Sequence, residues 1–460
     1  MKYLGIDIGS SFIKAALLDI YTEKAIFHYI LPAVDRLNSD DPHKFELDAN
    51  EIVDKVKEII HGALEKDEDI KGILISTQMH GFVYSTKDSK DVNHRYVSWQ
   101  DSRCVSLIPG SDISYMEFLK RKISVAEMEK CGVYIKPSLG MCNLYTMLES
   151  DSKLQKSGQL FTLGSYIIYK LTGNNICHIS NAAALGLVDI ENRTWDKKII
   201  KKLGFENIVL PVIADKDTEV CGYYRVKGRA IKVYPDFGDQ QTAILGAMAG
   251  SEDVIINIAT ASQIAVIAPN FNPGKYEVRP YFENKYINTI SNMPGGRNLN
   301  VLIDFIKEVI LKFENRQAST KEIWDVINRE CAFDSKGLDL DIGFYETPSC
   351  TTGGSILNIK PYNLTISAVF SAAFKDMAQT YWNNIINLIG MDKTRGKIVF
   401  LGGVSWKNPR LMKYISNYMS MEYVLSNIPD EVFTGLFRIA LVCEGVCNNL
   451  SHRPELILKL

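Results

Sequence analysis

The chain opens with two apolar runs separated by a turn of small residues. Tyr3 to Ile8 is apolar with one acid near its end, Gly9 to Ser11 turns the chain, and Phe12 to Leu18 is apolar again. This pattern predicts a β-hairpin. Asn50 to Leu64 has apolar residues at helical spacing, which predicts an amphipathic helix, and Gly72 to Ser76 predicts the next strand. Strands that alternate with helices indicate an α/β protein.

A similar pattern returns about 250 residues later. Asp253 to Ile258 predicts a strand, Ala259 to Ser262 a turn, and Gln263 to Ile267 a returning strand. When the two hairpins are superposed, Asp7 aligns with Asn257. The match is short, so gene duplication and coincidence both stay open. A duplication predicts two similar domains, each with a turn toward a shared cleft.

Length and composition narrow the class of protein. The chain has 460 residues, and because single domains average about 150 residues, we expect two domains, at 1–249 and 250–460. A formal net charge of -2 argues against a protein built around nucleic acid or an anionic membrane. Nine dispersed cysteines are typical of reduced thiols, and no leader or long apolar run is visible. We therefore expect a cytoplasmic protein with no membrane segment.

The first candidate for chemistry is the turn of the first hairpin. Gly9, Ser10 and Ser11 let backbone N–H groups approach phosphate oxygens, the hydroxyls add donors, and Lys14 lies just beyond. Asp7, at the end of the strand, could hold Mg²⁺ through water. The alternative is a tight hairpin whose acid caps the turn.

Asp239 is the second candidate. It follows Gly238 and precedes a predicted helix from Gln240 to Ala249. A carboxylate at a helix start is commonly a cap, but it can also accept the proton of a sugar hydroxyl during phosphoryl transfer. The local sequence leaves both roles open.

Two polar segments could bind a ligand rich in hydroxyl groups. Gln78 and His80 follow a predicted strand, and each side chain can donate and accept hydrogen bonds. A lone histidine is more often structural. Trp99 could stack on a sugar while Asp101 binds hydroxyls, or Asp101 could simply pair with Arg103.

Glycine pairs late in the chain are the last candidates. An apolar strand from Ile398 to Leu401 leads to Gly402 and Gly403, and Asn408 begins a predicted helix with Pro409 at its first position. Adjacent glycines leave a flat backbone on which an adenine ring can lie. Gly296 could offer a similar surface to a ribose, although such pairs more often mark turns.

The order of these segments distinguishes the interpretations. A phosphate-type turn is followed by Gln-Met-His-Gly, Trp-Gln-Asp-Ser-Arg-Cys and Gly-Asp-Gln-Gln, and then by a second turn and a glycine pair. In this order the chain resembles the FGGY carbohydrate kinases over essentially its whole length. Within the family these segments are most similar to the sedoheptulokinase branch, and xylulokinases share the Gln-Met-His-Gly and Gly-Asp pieces.

The resemblance implies a fold, an activity and a set of roles. It implies a two-domain actin-like (ribonuclease H-like) ATPase fold with a cleft between the domains. It also implies ATP- and Mg²⁺-dependent phosphorylation of the terminal hydroxyl of a ketose, most of all sedoheptulose. The implied partners are the sugar and ATP, with a homodimer as one open arrangement. The implied base is Asp239, with Asp7 toward the metal. The implied sugar contacts are Gln78, Met79, His80, Trp99, Asp101, Asp239 and Gln240, and the implied ATP contacts are Gly9, Ser10, Ser11, Lys14, Thr260, Gly296, Gly402, Gly403 and Asn408.

Two alternatives remain at this stage. A pentulose kinase of the xylulokinase kind would share most of the sugar segments. An actin-like ATP-binding protein without sugar kinase activity would share the two turns and the glycine pair, but it would have no need of Gln78, His80, Trp99 and Asp101.

Overall fold

The computed structural model describes residues 1–86, 94–152, 154–345, 353–390, 396–426, 430–451 and 457–459. The strands of this part of the chain are β1 (Lys2–Ile8), β2 (Phe12–Asp19), β3 (Lys24–Pro32), β4 (Glu46–Asp48), β5 (Ile70–Thr77), β6 (Phe82–Ser85), β7 (Arg95–Val97), β8 (Gln159–Phe161), β9 (Ile176–Cys177), β10 (Val188–Asp189), β11 (Thr194–Trp195), β12 (Val212–Ile213), β13 (Gly222–Val226), β14 (Arg229–Gly238), β15 (Val254–Ile258), β16 (Ser262–Ala268), β17 (Glu277–Pro280), β18 (Tyr286–Met293), β19 (Asp339–Asp341), β20 (Ser355–Leu357), β21 (Ile398–Leu401), β22 (Tyr423–Leu425) and β23 (Ile457–Lys459).

The helices of the same residues are α1 (Ala49–Lys66), α2 (Tyr115–Lys122), α3 (Val125–Cys131), α4 (Gly140–Ser150), α5 (Leu163–Thr172), α6 (Ile179–Ala183), α7 (Lys197–Leu203), α8 (Asp239–Gly246), α9 (Gly296–Glu314), α10 (Thr320–Glu330), α11 (Ile366–Ile389), α12 (Gly403–Lys407), α13 (Pro409–Met419) and α14 (Glu431–Cys443). In this described part of the chain, no helix combines the length and the apolar character that crossing a bilayer requires.

The chain forms two compact units. The first contains 1–248, 269–286 and 428–460, and the second contains 249–268 and 287–427. The predicted domains, 1–249 and 250–460, divide the chain at one point, whereas each compact unit contains more than one segment of the chain. The domain assignment stays a prediction.

The main sheet of the first unit begins as the sequence predicts. In the described residues its strand order is β13-β14-β5-β1-β2-β3-β23. Strands β1 and β2 are antiparallel, with Ile8 opposite Ile13, so the predicted first hairpin is confirmed. Strand β5 is parallel to both β1 and β14.

The helix after this hairpin shows why the sequence folds as it does. Asp48 caps α1 by accepting hydrogen bonds from the backbone N–H groups of Asn50 and Glu51 at 2.8 and 3.3 Å. The apolar positions at helical spacing, including Ile52, Val56 and Ile60, are buried against the sheet. The predicted helix is therefore confirmed, with ends one or two residues beyond the predicted ones.

The sheet of the second unit repeats the central arrangement of the first. Its described strands follow the order β18-β16-β15-β21-β22. Strands β15 and β16 are antiparallel, which confirms the second predicted hairpin, and β21 is parallel to both β15 and β22. The series β16-β15-β21-β22 thus matches β2-β1-β5-β14 in order and direction.

The end of β21 differs in one detail from the expectation. The helix with Pro409 at its first position is present as α13. The sequence, however, did not predict the short helix α12, which starts directly at Gly403.

Candidate active site

Three parallel strands of the first unit end at one edge of its sheet. Ile8 of β1 lies beside Thr77 of β5, and Thr77 lies beside Gly238 of β14. The residues that follow or flank these ends therefore share that edge. In α/β sheets, ligands bind outside the carboxyl ends of the strands. The sequence segments around Asp7 and Asp239 thus meet in the fold, although more than 200 residues separate them.

Asp239 lies at the first position of α8, after Gly238 as the N-cap. Its Oδ1 accepts a hydrogen bond from the backbone N–H of Gln240 at 2.8 Å. Burial raises the pKa of Asp239, while this N–H group and the Arg279 guanidinium act against the rise. The N-cap of α8 is Gly238 and no side chain makes a capping hydrogen bond, so the cap interpretation of Asp239 is not borne out, and its role as a base stays a prediction.

Asp7 lies among other carboxylates. Burial raises the pKa of Asp7 to about 7, the nearby Asp430 and Asp239 add to the rise, and Lys14 opposes it. Lys14 Nζ itself donates to Asp430 Oδ2 at 2.9 Å. Asp430 is the N-cap residue of α14. The sequence analysis missed it, because nothing in its local sequence links it to a strand more than 400 residues away.

These acids fit a cation that is largely hydrated. In the described residues, no group of three or more His, Cys, Asp or Glu side chains is arranged to hold a metal ion directly. Mg²⁺ keeps several waters and commonly takes only one or two protein carboxylates plus phosphate oxygens. Asp7, whose charge is disfavoured by its acidic neighbours, is a carboxylate that such a cation would stabilise.

The polar segment after β5 is buried beside Asp239. Met79 packs against the end of β14, since a Cβ atom at Gly238 would lie 2.8 Å from its sulfur. Gln78 is buried, and within the described residues its Oε1 has no hydrogen-bond partner. An orphaned buried acceptor is costly unless a ligand donates to it.

His80 has a constrained backbone and a defined protonation state. Its φ of 69° lies in the left-handed region, which costs free energy for a residue with a side chain. Its Nδ1 lies 2.8 Å from the carbonyl oxygen of Ala184. Burial, with Lys136 and Arg279, lowers the pKa of His80 to about 3. The ring is therefore neutral, Nδ1–H donates to the carbonyl, and Nε2 is an acceptor.

A buried charge network adjoins His80 and Asp239. Arg279 donates through Nη2 to Glu277 Oε2 at 2.6 Å and through Nη1 to Gln240 Oε1 at 2.5 Å. The other Glu277 oxygen pairs with Lys136 Nζ. The sequence analysis missed these three charged residues. Glu-x-Arg in the short strand β17 could have revealed Glu277 and Arg279, because residues two apart on a strand share a face, but it gives no signal for Lys136.

A second buried network holds the backbone just before Asp239. Ser180 Oγ accepts a hydrogen bond from the backbone N–H of Gly238 at 2.9 Å. His178 joins Ser180 Oγ through Nδ1 at 2.7 Å and Asp217 Oδ1 through Nε2 at 2.9 Å. Both Ser180 and His178 are buried. This chain of bonds fixes the start of α8 and hence the position of Asp239.

The Trp99 to Arg103 segment divides into two environments. Trp99 follows β7 and is 42% exposed, so part of its side chain is accessible to a ligand. Asp101 is fully buried and accepts from Arg103 Nε at 2.9 Å, from Arg103 Nη2 at 2.7 Å and from the backbone N–H of Phe45 at 2.7 Å. Of the two alternatives for Asp101, the structure shows the pairing with Arg103. We therefore withdraw the expectation that Asp101 binds sugar hydroxyls.

The candidate nucleotide residues of the second unit also meet at one sheet edge. The backbone N–H of Gly296 donates to the Ala259 carbonyl at 2.8 Å, and that of Arg297 donates to the Thr260 carbonyl at 3.0 Å. A Cβ atom at Gly296 would lie 2.9 Å from Val404 Cγ2, next to the glycine pair. The turn, the start of α9 and the glycine pair are thus neighbours.

The two glycines of the pair are not equivalent. Gly402 has a φ of 87°, and a Cβ atom there would clash with Asn257 Oδ1 and the Ile258 carbonyl. A Cβ atom at Gly403 would meet no atom of the described residues within 4 Å. Gly402 is therefore required by the turn, and Gly403 borders open space. Asn408 is buried beside them, and its Nδ2 donates to the Val404 carbonyl at 2.9 Å.

Comparison with known proteins identifies the family. Residues 2–246 match the N-terminal domain of the FGGY family of carbohydrate kinases, which is more than half of the chain. The chain belongs to the FGGY family of carbohydrate kinases. Sedoheptulokinase of Mus musculus is 24% identical over 346 residues, which cover 67% of this chain and 68% of the mouse protein.

Solved structures of FGGY kinases share the fold. A ligand-bound xylulose kinase from Lactobacillus acidophilus superposes with a TM-score of 0.81 at 20% identity, over 98% of this chain and 91% of the other. A gluconate kinase from the same organism gives 0.82 at 19% identity, over 98% and 90%. The predicted actin-like ATPase fold and the predicted enzyme class, an ATP-dependent sugar kinase, are confirmed.

Proposed function

We propose that this FGGY kinase transfers the γ-phosphoryl group of ATP to the terminal hydroxyl of a ketose, with sedoheptulose as the preferred substrate. The observation that carries the proposal is the meeting of Asp239 with the Gln78–His80 segment at the ends of β5 and β14. A carboxylate lies there beside neutral polar groups, which is the chemistry that a sugar hydroxyl requires.

Asp239 acts as the general base. As the sugar oxygen bonds to the γ-phosphorus, its proton passes to the Asp239 carboxylate, and the bond from the phosphorus to the bridging oxygen of ADP breaks. Burial raises the pKa of this carboxylate, and the backbone bond to Gln240 and the charge of Arg279 oppose that rise and favour the ionised form. The Ser180 bond to Gly238 fixes its position.

Neutral groups bind the sugar. The Nε2 atom of His80 and the orphaned Oε1 of Gln78 accept hydrogen bonds from hydroxyl groups. Met79 forms an apolar wall beside them, and Trp99 stacks on the exposed side. Gln240 contacts the sugar next to the base.

The remaining predicted residues bind ATP and its cation. Ser10 and Ser11 face phosphate oxygens, and Asp7 would hold Mg²⁺ through water, with Lys14 close by. When bound, Mg²⁺ supplies positive charge that offsets the charge of the transferred phosphoryl group. Thr260, Gly296, Gly403 and Asn408 bind the nucleotide, and Gly402 shapes their turn.

The experiment is an ADP-release assay on the purified kinase with ATP and Mg²⁺. The panel consists of sedoheptulose, xylulose, ribulose, gluconate and glycerol. We expect the highest kcat/KM with sedoheptulose, and xylulose or ribulose next, because the Trp99 to Cys104 segment is most similar to the sedoheptulokinase branch. Turnover of glycerol or gluconate alone would refute the ketose assignment. A higher kcat/KM with a pentulose than with sedoheptulose would favour the second candidate, a pentulose kinase. Xylulokinases share the Gln-Met-His-Gly segment.

A further inference from the structure

Arg279 bonds to Gln240 and lies beside Met79 and His80, three residues of the proposed site. It lies on β17, is 9% exposed, and lines a narrow recess with Met79 and His80. One guanidinium nitrogen donates to Gln240 Oε1 at 2.5 Å, and Gln240 directly follows Asp239. The planar guanidinium can hold two partners at fixed angles, which a lysine cannot do.

Arg279 is itself held by a buried acid. Its Nη2 and Nε donate to Glu277 Oε2 at 2.6 and 3.2 Å. Lys136 pairs with the second oxygen of Glu277. Although burial works against it, Arg279 and Lys136 hold the pKa of Glu277 well below its usual range. The acid is therefore always ionised and anchors both cations.

This arrangement is expensive for a purely structural element. Burying charges carries a desolvation penalty that an ion pair often only balances, so apolar residues would stabilise the fold at least as well. Arg279 and Lys136 both lower the pKa of His80, and Arg279 opposes the rise in the pKa of Asp239. The charges thus reach the two side chains that the proposed reaction uses.

We propose that Arg279 is a positioning residue of the kinase: it holds Gln240 and places a fixed positive charge beside Asp239, while Glu277, anchored by Lys136, fixes Arg279. The proposal rests on the proposed function, since it takes Asp239 as the base. It adds a role for three charged residues that the family motifs quoted above do not include.

The sign of the effect follows from the charges that face Asp239. Arg279 on β17 favours the ionised carboxylate. Asp7 on β1 is a like charge that interacts with it, with the Lys14–Asp430 pair close behind. The Tyr96 hydroxyl on β7 also lies near, and it stays neutral because burial raises the pKa of Tyr96 far above its usual range. Without Arg279, Asp239 would take up its proton at higher pH.

The experiment is the pH profile of kcat/KM for the best substrate of the panel. For Arg279→Gln we expect the acid limb to move up by about one pH unit, because an arginine beside an aspartate lowers its pKa by about that amount or more. Activity should recover substantially above the new limb, and KM for ATP should change little. Arg279→Lys keeps the positive charge but loses the planar guanidinium that holds two partners. We therefore expect a smaller shift of the acid limb together with a lower kcat. Arg121→Gln, at an exposed arginine of α2, is the matched control.

Glu277→Gln tests the same proposal with a variant that keeps Arg279. It frees the guanidinium from its anchor, so we expect kcat to fall and the acid limb to shift less than in Arg279→Gln. If Arg279→Gln does not fold, as shown by the loss of a cooperative melting transition, the Lys and Glu277→Gln variants decide the question. An equal loss of activity at every pH in the variants that fold, with an unshifted acid limb, would overturn the proposal.

Failure of the proposal about Arg279 can be distinguished from failure of the proposed function. If Asp239→Asn turns over at a rate near that of the wild type, Asp239 is not the base and the proposed mechanism fails, whatever Arg279 does. If Asp239→Asn is inactive and the Arg279 variants keep the wild-type acid limb, the mechanism stands and only the inference about Arg279 fails.

Discussion

The two hairpins of this kinase share a backbone arrangement and differ in charge. In the first unit, Asp7 lies opposite Lys14 across the hairpin. In the second unit, Asn257 lies opposite Gln263 at the matching positions. Each hairpin is followed by parallel strands in the same order. The comparison shows that one backbone pattern can carry different charges, with an acid opposite a base in one copy and two neutral amides in the other.

The surroundings of the two hairpins reinforce the difference. Asp7 interacts with Asp239 and Asp430, so the first unit concentrates carboxylates at its sheet edge. Asn257 lies beside the backbone of Gly402 instead, and its Oδ1 has no hydrogen-bond partner among the described residues. The proposed function assigns proton transfer and cation binding to the first unit, and it assigns to the second unit polar, uncharged groups that bind the nucleotide.

The largest expected effect tests where the reaction takes place. Asp239→Asn should reduce sugar phosphorylation by about 10² to 10⁴ in kcat, the usual contribution of a general base. ATP binding, measured by calorimetry, should stay near the wild-type value, because the substitution keeps the shape of the side chain. Near wild-type turnover would remove Asp239 from the mechanism.

The next prediction makes the charged hairpin resemble the neutral one. In Asp7→Asn we expect the free enzyme to become more stable at pH 8, by about 1–3 kcal/mol after allowing for partial exposure. The pKa of Asp7 is raised to about 7, so between about pH 4 and pH 7 the folded state keeps the proton that the unfolded state has lost. Wild-type stability therefore falls as the pH rises from about 4 to about 7.

Urea unfolding at pH 4 and pH 8 measures this effect. The gain of the variant should be present at pH 8 and nearly absent at pH 4, and the variant should lose the stabilisation that Mg²⁺ with ATP gives the wild type. A gain of the same size at both pH values would contradict the electrostatic account. The converse change, Asn257→Asp, would bury a new carboxylate beside Gly402 and should destabilise the protein at pH 8.

A third prediction separates sugar from nucleotide. His80→Ala should raise KM for the sugar and lower kcat/KM by roughly 10- to 100-fold, since each unsatisfied buried partner costs about 1–3 kcal/mol. KM for ATP at saturating sugar should change little. Initial rates with each substrate varied in turn test this, and parallel losses for sugar and ATP would make His80 a structural residue.

The smallest effect tests the glycine pair of the second unit. Gly403→Val should weaken ATP binding about tenfold, as expected from the cost of overpacking, while sugar binding and melting temperature stay nearly unchanged. The matched variant is Gly402→Ala, which should lower the melting temperature because of its left-handed backbone and its close contacts. If Gly403→Val weakens sugar and ATP binding equally in a folded protein, the nucleoside does not lie there.

Local patterns in the sequence predicted the framework and the main segments of the site. Both hairpins, helix α1 and the start of α13 follow from apolar periodicity and turn residues, which act over a few neighbouring positions. The position of Asp239 at a helix start was also visible, because Gly238 precedes it and a helical pattern follows it, whereas the strand β14 before it was not predicted.

Partners that are distant in sequence could not be predicted in this way. Asp430 reaches Lys14 across 416 positions, and Glu277 reaches Lys136 across 141. Such pairs depend on how helices and strands pack, and apolar periodicity carries no information about them. The pairing of Asp101 stayed open for the same reason, since its burial depends on Phe45 as well as Arg103.

The state of His80 has a consequence for how the enzyme responds to acidification. Histidine is usually the side chain that senses changes between pH 5 and 8. Here the pKa of about 3 keeps the imidazole neutral throughout that range, with one nitrogen committed to the Ala184 carbonyl. The hydrogen-bonding preference of His80 is therefore insulated from the surrounding proton concentration. In the proposed site, the catalytic rate can therefore vary with pH through the acids nearby, while the hydrogen bond that this ring offers to the sugar stays the same.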